Sequence, residues 1–163
     1  MSLFFLDKQK AIEKIDCLAV NVGQSQPLVP MPAVAEIVLN QAPITSDKLP
    51  DWVAGWIEWR HLNIPLIDFT AVQLNRAATD FSASTRIMVL NSFSEGHSHR
   101  YYAIMTNGFP YTISVEASTD MTSQGAEDLG NCVKIDLAVQ GENLLLPDFQ
   151  AIEGYLKKIP LYF

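Results

Sequence analysis

Short segments in which apolar and polar residues alternate occupy much of the chain, and they predict β-strands. In the clearest segment, apolar side chains stand at every second position from Val133 to Val139, with Lys134 and Asp136 between them. A period of two is typical of a strand with one buried face. Alternating or continuous apolar segments also cover residues 16–23, 26–29, 86–93, 100–106, 109–115 and 143–146. Eight to ten short strands with little helix predict an all-β fold of the barrel class.

Helical spacing is confined to short segments. Near the C-terminal end, apolar residues recur at intervals of three and four after a Pro-Asp start, which predicts a short amphipathic helix over residues 147–159. Pro32 can occupy the first turn of a short helix over residues 33–37, and residues 70–75 favour another brief helix. The apolar positions of the C-terminal helix are Phe149, Ile152, Leu156 and Ile159.

Polar segments that contain proline or glycine predict the connections. Residues 40–51 have the composition of a loop, and Asn107-Gly108 is the strongest short turn signal in the chain. Residues 76–84 are polar without being rich in glycine or serine, so they favour a connection inside one domain over a free linker. No fixed-period repeat is visible. Residues 1–163 are therefore predicted to form a single domain.

The segment GWIEWRHLNIPLIDF, residues 55–69, is too long for one strand, and its polar centre at residues 60–63 interrupts the alternation. It predicts a hairpin with arms at residues 57–60 and 64–69. Ile57 and Trp59 then share a buried face, whereas Glu58 and Arg60 lie on the other face. Arg60 is expected to project at the rim. The alternative interpretation is that the tryptophans fill a core and Arg60 is only a polar turn residue.

The overall composition excludes several classes of protein. The 163 residues are 48% hydrophobic and 18% charged, as in folded globular proteins. A net charge of −7 and the absence of any long basic run disfavour nucleic acid and direct membrane insertion. The apolar N-terminal run at residues 3–6 is too short for a secretory signal, so a cytoplasmic location is expected, with Cys17 and Cys132 as ordinary buried thiols.

No motif in the chain predicts catalysis or cofactor binding. His97 and His99 have the spacing of a metal-binding pair, but they lie in a polar turn without further ligand motifs, so a solvated hairpin tip is expected. No activated nucleophile and no phosphate-binding glycine motif occurs. We therefore expect no catalytic residue, no metal and no cofactor. The carboxylates of Glu58, Asp68, Asp136 and Asp148 stand near strand ends, where such groups are usually solvated.

The order of several motifs resembles the CheW family of bacterial chemotaxis coupling proteins. In this family a "V.EI" element is followed by a proline-bearing loop and then by "G...LRG...P..DL". Val34, Glu36 and Ile37 match the first element. The later segments RIMVLNSF, YYAIMTNGFPYTISV and VKIDLAV also fit, so the resemblance covers roughly residues 16–158. In the second element, Gly55, Arg60, Pro65 and Asp68 match, and Phe69 replaces the last leucine.

The resemblance implies a fold and a function. The fold is two SH3-like five-stranded β-barrels that share a hydrophobic core, with the first lobe at roughly residues 16–80 and the second at 81–145. The function is a non-catalytic adaptor that binds the regulatory domain of a chemotaxis histidine kinase and the cytoplasmic tip of a chemoreceptor, recruited to membrane-associated receptor clusters. The C-terminal segment LLLPDFQAIEGYL is similar to the variant found in pilus-type chemosensory systems, which act in twitching motility.

Mapped onto this chain, the family pattern suggests two binding surfaces. Val34, Glu36 and Ile37 become candidates for binding the kinase. Arg60 and His61 become candidates for receptor contact, and support of the kinase-binding surface is the alternative role for Arg60. His61 replaces the glycine that the family has after its arginine, and Trp59 replaces the preceding leucine. Because a non-glycine residue disfavours a positive φ, either the turn differs or Asn63 takes the left-handed position.

Two rival functions remain open at this stage. One is a small β-barrel enzyme or ligand-binding protein that uses Arg60, His61 and a nearby carboxylate around an anionic small molecule. It requires these groups to converge on a concave pocket. The other is a structural partner of the pilus machinery that contacts no kinase.

Overall fold

The computed structural model describes residues 14–94, 99–116, 121–123 and 128–162, without the side chains of Met121 and Thr122. Most of the N-terminal segment and His97 lie outside these residues. The described chain is mostly β, with two short helices. The strands are β1 Ile15–Asn21, β2 Leu28–Pro30, β3 Val34–Leu39, β4 Val53–Trp59, β5 Leu62–Ile67, β6 Arg86–Asn91, β7 Tyr101–Val115, β8 Met121–Ser123, β9 Val133–Val139 and β10 Glu142–Pro147. The helices are α1 Phe69–Leu74 and α2 Phe149–Leu156.

The strands form two lobes joined by the long strand β7. In the first lobe the strand order is β3-β6-β7-β5-β4, with β7 contributing its N-terminal half. In the second lobe the C-terminal half of β7 pairs with β1, which pairs with β2, and β10-β9-β8 form a separate sheet. A backbone bond from Leu145 to Gln26 joins this sheet to the segment before β2. The prediction of a mostly β protein with two SH3-like lobes and a short C-terminal helix is confirmed, although strand pairing among the described residues does not close either lobe into a full ring.

The strand pairing does not follow the expected division into residues 16–80 and 81–145. β1 belongs to the second lobe, because Ile15 is paired with Val115 and Asn21 with Asn107. The prediction of a turn at Asn107-Gly108 is wrong, since both residues lie inside β7. Gly108 has a φ of 66° at the point where β7 exchanges β6 for β1 as its partner. Local sequence signals this bend but not the strand to which each half is bonded.

Two smaller predictions about helices have different outcomes. The short helix expected over residues 33–37 is wrong, because a 3-10 turn occupies Met31–Ala33 and the next residues form β3. Pro32 does stand in the first turn, as expected, but the β-branched residues after it pair with β6. The brief helix near residues 70–75 is confirmed as α1, which ends at Asn75 with a φ of 53°.

Three hydrophobic clusters fill the molecule, one within each lobe and one between them. The shared cluster includes Phe69, Tyr102 and Leu156, and it brings both helices onto β1, β6 and β7. The first lobe packs residues such as Ile57, Trp59 and Leu66 together, while the second lobe packs residues of β1, β9 and β10. The common core that the family resemblance implied is therefore present.

A structural repeat that the sequence analysis did not detect relates the two lobes. The hairpin β4–β5 followed by α1 has the same arrangement as the hairpin β9–β10 followed by α2. Asp68 and Asp148 begin the two helices, and each accepts a bond from the backbone three residues later, at 3.1 and 3.0 Å. The motif Asp-Phe-x-Ala begins at both aspartates.

Each helix packs against the segment that precedes the other hairpin. The ring of Trp52, just before β4, lies 5.5 Å from that of Tyr155 in α2. In return, the backbone N–H of Asn131 donates to the carbonyl of Gln73 in α1 at 2.9 Å, and the Gln73 side chain donates to Leu129 at the same distance. This reciprocal exchange fixes the lobes to each other.

Candidate functional site

The hairpin β4–β5 has a tighter turn than the sequence predicts. Trp59 is paired with Leu62, so the turn consists of Arg60 and His61 alone, with φ values of 48° and 65°. Two consecutive positive φ values are typical of the two-residue hairpin turn that usually takes Asn-Gly. The expected hairpin is confirmed, but its first arm is longer than predicted and its second arm begins and ends two residues earlier. His61 itself adopts the left-handed conformation, whereas Asn63 lies within β5 and does not.

Three side chains from β3 and the hairpin form a connected cluster, here called the Glu36 cluster. The indole N–H of Trp59 donates to the Oε2 atom of Glu36 at 2.7 Å. The Arg60 guanidinium lies 3.6 Å from the Oε1 atom of the same carboxylate. It also stands 4.5 Å from the centre of the Trp59 ring. Glu36 is thus held on both carboxylate oxygens, which fixes its direction at the surface.

A bulge in β3 determines which of its side chains reach this cluster. The pairing with β6 shifts between Val34 and Glu36. Val34 and Ile37 consequently pack against the core shared by the lobes, whereas Ala35 and Val38 pack against the core of the first lobe. Glu36 lies on the same side as Val38 and meets Trp59 there.

The structure therefore brings only some of the predicted site residues together. Glu36 and Arg60 are in contact, which is the arrangement expected if Arg60 supports the kinase-binding candidates rather than lying on a separate surface. Val34 and Ile37 flank Glu36 along β3 but are half-buried. His61 is exposed and faces a groove lined by residues 61–64, 99–101, 161 and 162. The two candidate surfaces are thus neighbours joined by one ion pair.

Sequence reasoning did not identify Trp59 as part of the candidate site. Its ring is buried in the first-lobe core and lies 4.9 Å from that of Tyr101. Only its N–H reaches the surface carboxylate. A buried indole needs an acceptor for its N–H, and this requirement is the signal that could have linked Trp59 to Glu36.

The arrangement does not assemble the enzyme or anion-binding site considered as a rival. Arg60 is engaged by Glu36, on the exposed side of the hairpin. His61 lines the neighbouring groove, and the described residues around that groove include neither Arg60 nor a carboxylate. Arg60, His61 and a carboxylate therefore do not surround one pocket.

His99 differs from the solvated histidine that the sequence predicts. It is buried, and its Nε2 atom is 2.8 Å from the carbonyl oxygen of Ile159, to which it donates. Because this bond ties the start of β7 to the C-terminal segment, His99 has a structural role. The expectation is wrong for His99, and His97 is outside the described residues. Within the described ranges, no group of three His, Cys, Asp or Glu side chains could hold a metal ion.

The cysteines and carboxylates singled out from the sequence occupy separate places. Cys17 and Cys132 are free and buried, as predicted. Burial raises the pKa of both thiols, that of Cys132 to about 12, so they stay protonated and unreactive at neutral pH. Asp68 is buried rather than solvated, because it accepts bonds from Ala71 and from both the backbone and hydroxyl of Thr79.

Comparison with known proteins adds a family and a similar structure. Residues 16–152 match the family model of the CheW-like domain. Among solved structures, the chain is similar to the scaffolding protein TtCheW from Thermoanaerobacter tengcongensis, with a TM-score of 0.63 and 13% sequence identity. The match covers 82% of this chain and 83% of that one. The search of curated proteins finds no match. No helix among the described residues is long and apolar enough to cross a membrane.

Proposed function

The chain belongs to the CheW-like domain family, and on that premise we propose that it is a non-catalytic adaptor in bacterial signal transduction. Its partners in this proposal are the regulatory domain of a chemotaxis-type histidine kinase and the cytoplasmic tip of a chemoreceptor. The protein acts in the cytoplasm and is recruited to membrane-associated receptor clusters. Its pathway is chemotaxis or, as the C-terminal segment suggests, pilus-mediated twitching motility.

The Glu36 cluster is the observation that carries this proposal. Its charged groups face solvent, with the side chains of Arg60 and Glu36 exposed by 63% and 41%. Beneath them Trp59 is 6% exposed and supplies a rigid apolar support. Partly exposed charges on such a support suit a reversible protein interface, in which an ordered centre is surrounded by a polar rim.

β3 adds main-chain groups to this surface. Among the described strands it pairs with β6 alone, so its other edge is not bonded to a strand. Edge strands offer N–H and C=O groups that a partner can bind directly. The β3 residues Val34, Glu36 and Ile37 are therefore the proposed kinase-binding residues, with Glu36 as the exposed charge.

Arg60 and His61 are the proposed receptor-binding residues. Because Arg60 also holds Glu36, loss of its guanidinium is expected to weaken kinase binding as well as receptor binding. His61 has no such link to Glu36 among the contacts described, and it lies at the groove on the other side of the turn. The ion pair thus connects the two proposed surfaces.

The proposed mechanism is a shift in populations. The adaptor holds the kinase regulatory domain in a fixed position relative to the receptor tip. A receptor state that binds this assembly more tightly than another state shifts the equilibrium between active and inactive kinase. The difference between the two affinities sets the size of the shift. The adaptor needs no chemistry of its own in this scheme.

A pull-down with purified proteins tests the proposal. The immobilised regulatory domain of the chemotaxis-type kinase from the same organism should retain the wild-type chain. Glu36→Lys should weaken this retention, and His61→Ala should reduce binding of the receptor tip while kinase retention is kept. Retention at tens of micromolar protein requires a binding free energy of about 7 kcal/mol. If the wild-type chain is not retained at this concentration, the kinase-coupling function is refuted.

A further inference from the structure

A groove beside the hairpin turn combines exposed apolar side chains with an exposed arginine. It has a volume of about 380 Å³ and lies between the start of β5, the start of β7 and the C-terminal segment. Leu62, Leu161 and Tyr162 are among its lining residues and are 45%, 43% and 38% exposed. Large apolar side chains gathered at one concave place mark an interaction site more often than scattered ones do. This lining is here called the tail groove.

The C-terminal segment forms one wall of the tail groove and is held firmly. The indole N–H of Trp56 donates to the carbonyl of Pro160 at 3.2 Å. The Trp56 ring lies 5.1 Å from that of Tyr162. The buried His99, which also lines the groove, donates from its Nε2 atom to the carbonyl oxygen of Ile159. Because three separate contacts position this wall, the groove is a preformed feature, which lowers the entropic cost of filling it.

The charge of the tail groove is opposite to that of the whole chain. Exposed Arg100 and His61 line it, and none of its described lining residues is Asp or Glu. The chain as a whole carries a net charge of −7. An acidic ligand is therefore repelled by most of the surface and attracted locally to this groove.

We propose that the tail groove binds an acidic peptide segment that carries a large apolar side chain. The apolar side chain of the partner packs between Leu62, Leu161 and Tyr162, and its carboxylates face Arg100 and His61. The volume of the groove accommodates one or two side chains, so the partner contributes a short linear segment. This interaction surface is distinct from the Glu36 cluster, but it shares His61 with the proposed receptor-binding residues. Peptide binding to the purified chain is measured without kinase or receptor, so its failure is distinguishable from failure of the adaptor function.

Fluorescence anisotropy with short labelled peptides tests the proposal on the full-length chain. The probe is the peptide DELFDE. One control peptide, DEAADE, removes the apolar pair, and another, KKLFKK, reverses the charge. We expect saturable binding of DELFDE that weakens as the salt concentration rises, at least fivefold weaker binding of DEAADE and no binding of KKLFKK. Absence of saturable DELFDE binding at millimolar concentration would refute the proposal, and equal binding of KKLFKK would refute the acidic partner.

A matched pair of variants locates the binding. Arg100→Glu reverses a charge in the tail groove, and Arg76→Glu makes the same change at an exposed arginine elsewhere. The first change should weaken DELFDE binding about tenfold or more, and the second less than threefold. Leu62→Ser, at a position that is 45% exposed, should also weaken it and lower the thermal midpoint only slightly. Equal losses for the two arginine variants would place the peptide elsewhere and overturn the proposal.

Discussion

The hairpin β4–β5 and the hairpin β9–β10 have the same backbone plan but hold their turns in different ways. Both turns have two residues with positive φ, Arg60-His61 in the first and Gln140-Gly141 in the second. The second turn uses a glycine, which adopts this conformation at little cost. The first turn has no glycine, and its Arg60 contacts Trp59 and Glu36. The first lobe thus has a turn with two non-glycine residues at positive φ, whereas the second lobe has only one, Gln140.

The difference lies at the turn that carries two of the proposed binding residues, Arg60 and His61. A non-glycine residue in the left-handed region costs roughly 1–3 kcal/mol, and such costs concentrate at functional sites. In the first hairpin the turn presents Arg60, which forms an exposed ion pair with Glu36 of β3. The second hairpin presents Gln140 and Glu142 at its tip. The repeat therefore supplies one common scaffold, and only the first turn adds an ion pair with a neighbouring strand among the described residues.

The largest expected effect comes from the glycine inside the first hairpin. Gly55 has a φ of 147°, and a Cβ there would lie 2.4 Å from the carbonyl oxygen of Ile44. Gly55→Ala should destabilise the protein by about 3 kcal/mol or more, which corresponds to a fall of roughly 10 °C in Tm. Gly141→Ala is the matched control, since a Cβ there meets nothing within 4 Å. It should cost about 1 kcal/mol, and calorimetry that finds equal losses would contradict this packing difference.

The two helix caps should also differ, although both are aspartates. Asp68 is buried and accepts three bonds, whereas Asp148 is half-buried and accepts the one bond from Ala151 that is described for it. Asp68→Ala leaves the buried N–H of Ala71 and two partly buried donors of Thr79 without their acceptor. It should cost roughly 2–4 kcal/mol, against about 1 kcal/mol for Asp148→Ala. Urea unfolding measures both values. A larger loss for Asp148→Ala would reverse the assignment.

The smallest effect is expected at the second residue of each turn. His61→Gly should stabilise the protein by about 0.5–1 kcal/mol, because glycine relieves the positive φ. Gly141→His should destabilise it by about the same amount or slightly more. Thermal unfolding of this reciprocal pair tests whether the first turn is strained. If His61→Gly destabilises the chain instead, contacts of the imidazole outweigh the strain.

Local features could be predicted from the sequence, and pairing over long distances could not. The alternation in β9 and the apolar spacing of α2 identified their elements because each depends on neighbouring residues. The repeated Asp-Phe-x-Ala motif was visible but weak, since few other residues of the two hairpins match. β7 continues through Asn107-Gly108 because it changes its partner there from β6 to β1. A local turn signal does not reveal a pairing with a strand that is distant in the sequence.

The sequence allowed some residues of the candidate site to be predicted, but not the contacts between them. The family resemblance selected Glu36 and Arg60, but it left open whether Arg60 contacts the receptor or supports the surface that carries Glu36. Their contact depends on the bulge in β3 and on the register of the hairpin, neither of which follows from composition or spacing. The role of Trp59 was missed because a tryptophan between aliphatic residues is usually interpreted as core alone. It is in the core, and its N–H holds Glu36.

Calorimetric titration with the kinase regulatory domain tests the central claim most directly. Arg60→Ala and Gln140→Ala remove corresponding turn side chains from the two hairpins. If the Glu36 cluster forms the kinase-binding surface, Arg60→Ala should weaken binding about tenfold, a loss of about 1.4 kcal/mol, and Gln140→Ala should leave the affinity unchanged within twofold. Equal affinities of the two variants, with both folds intact, would contradict the account.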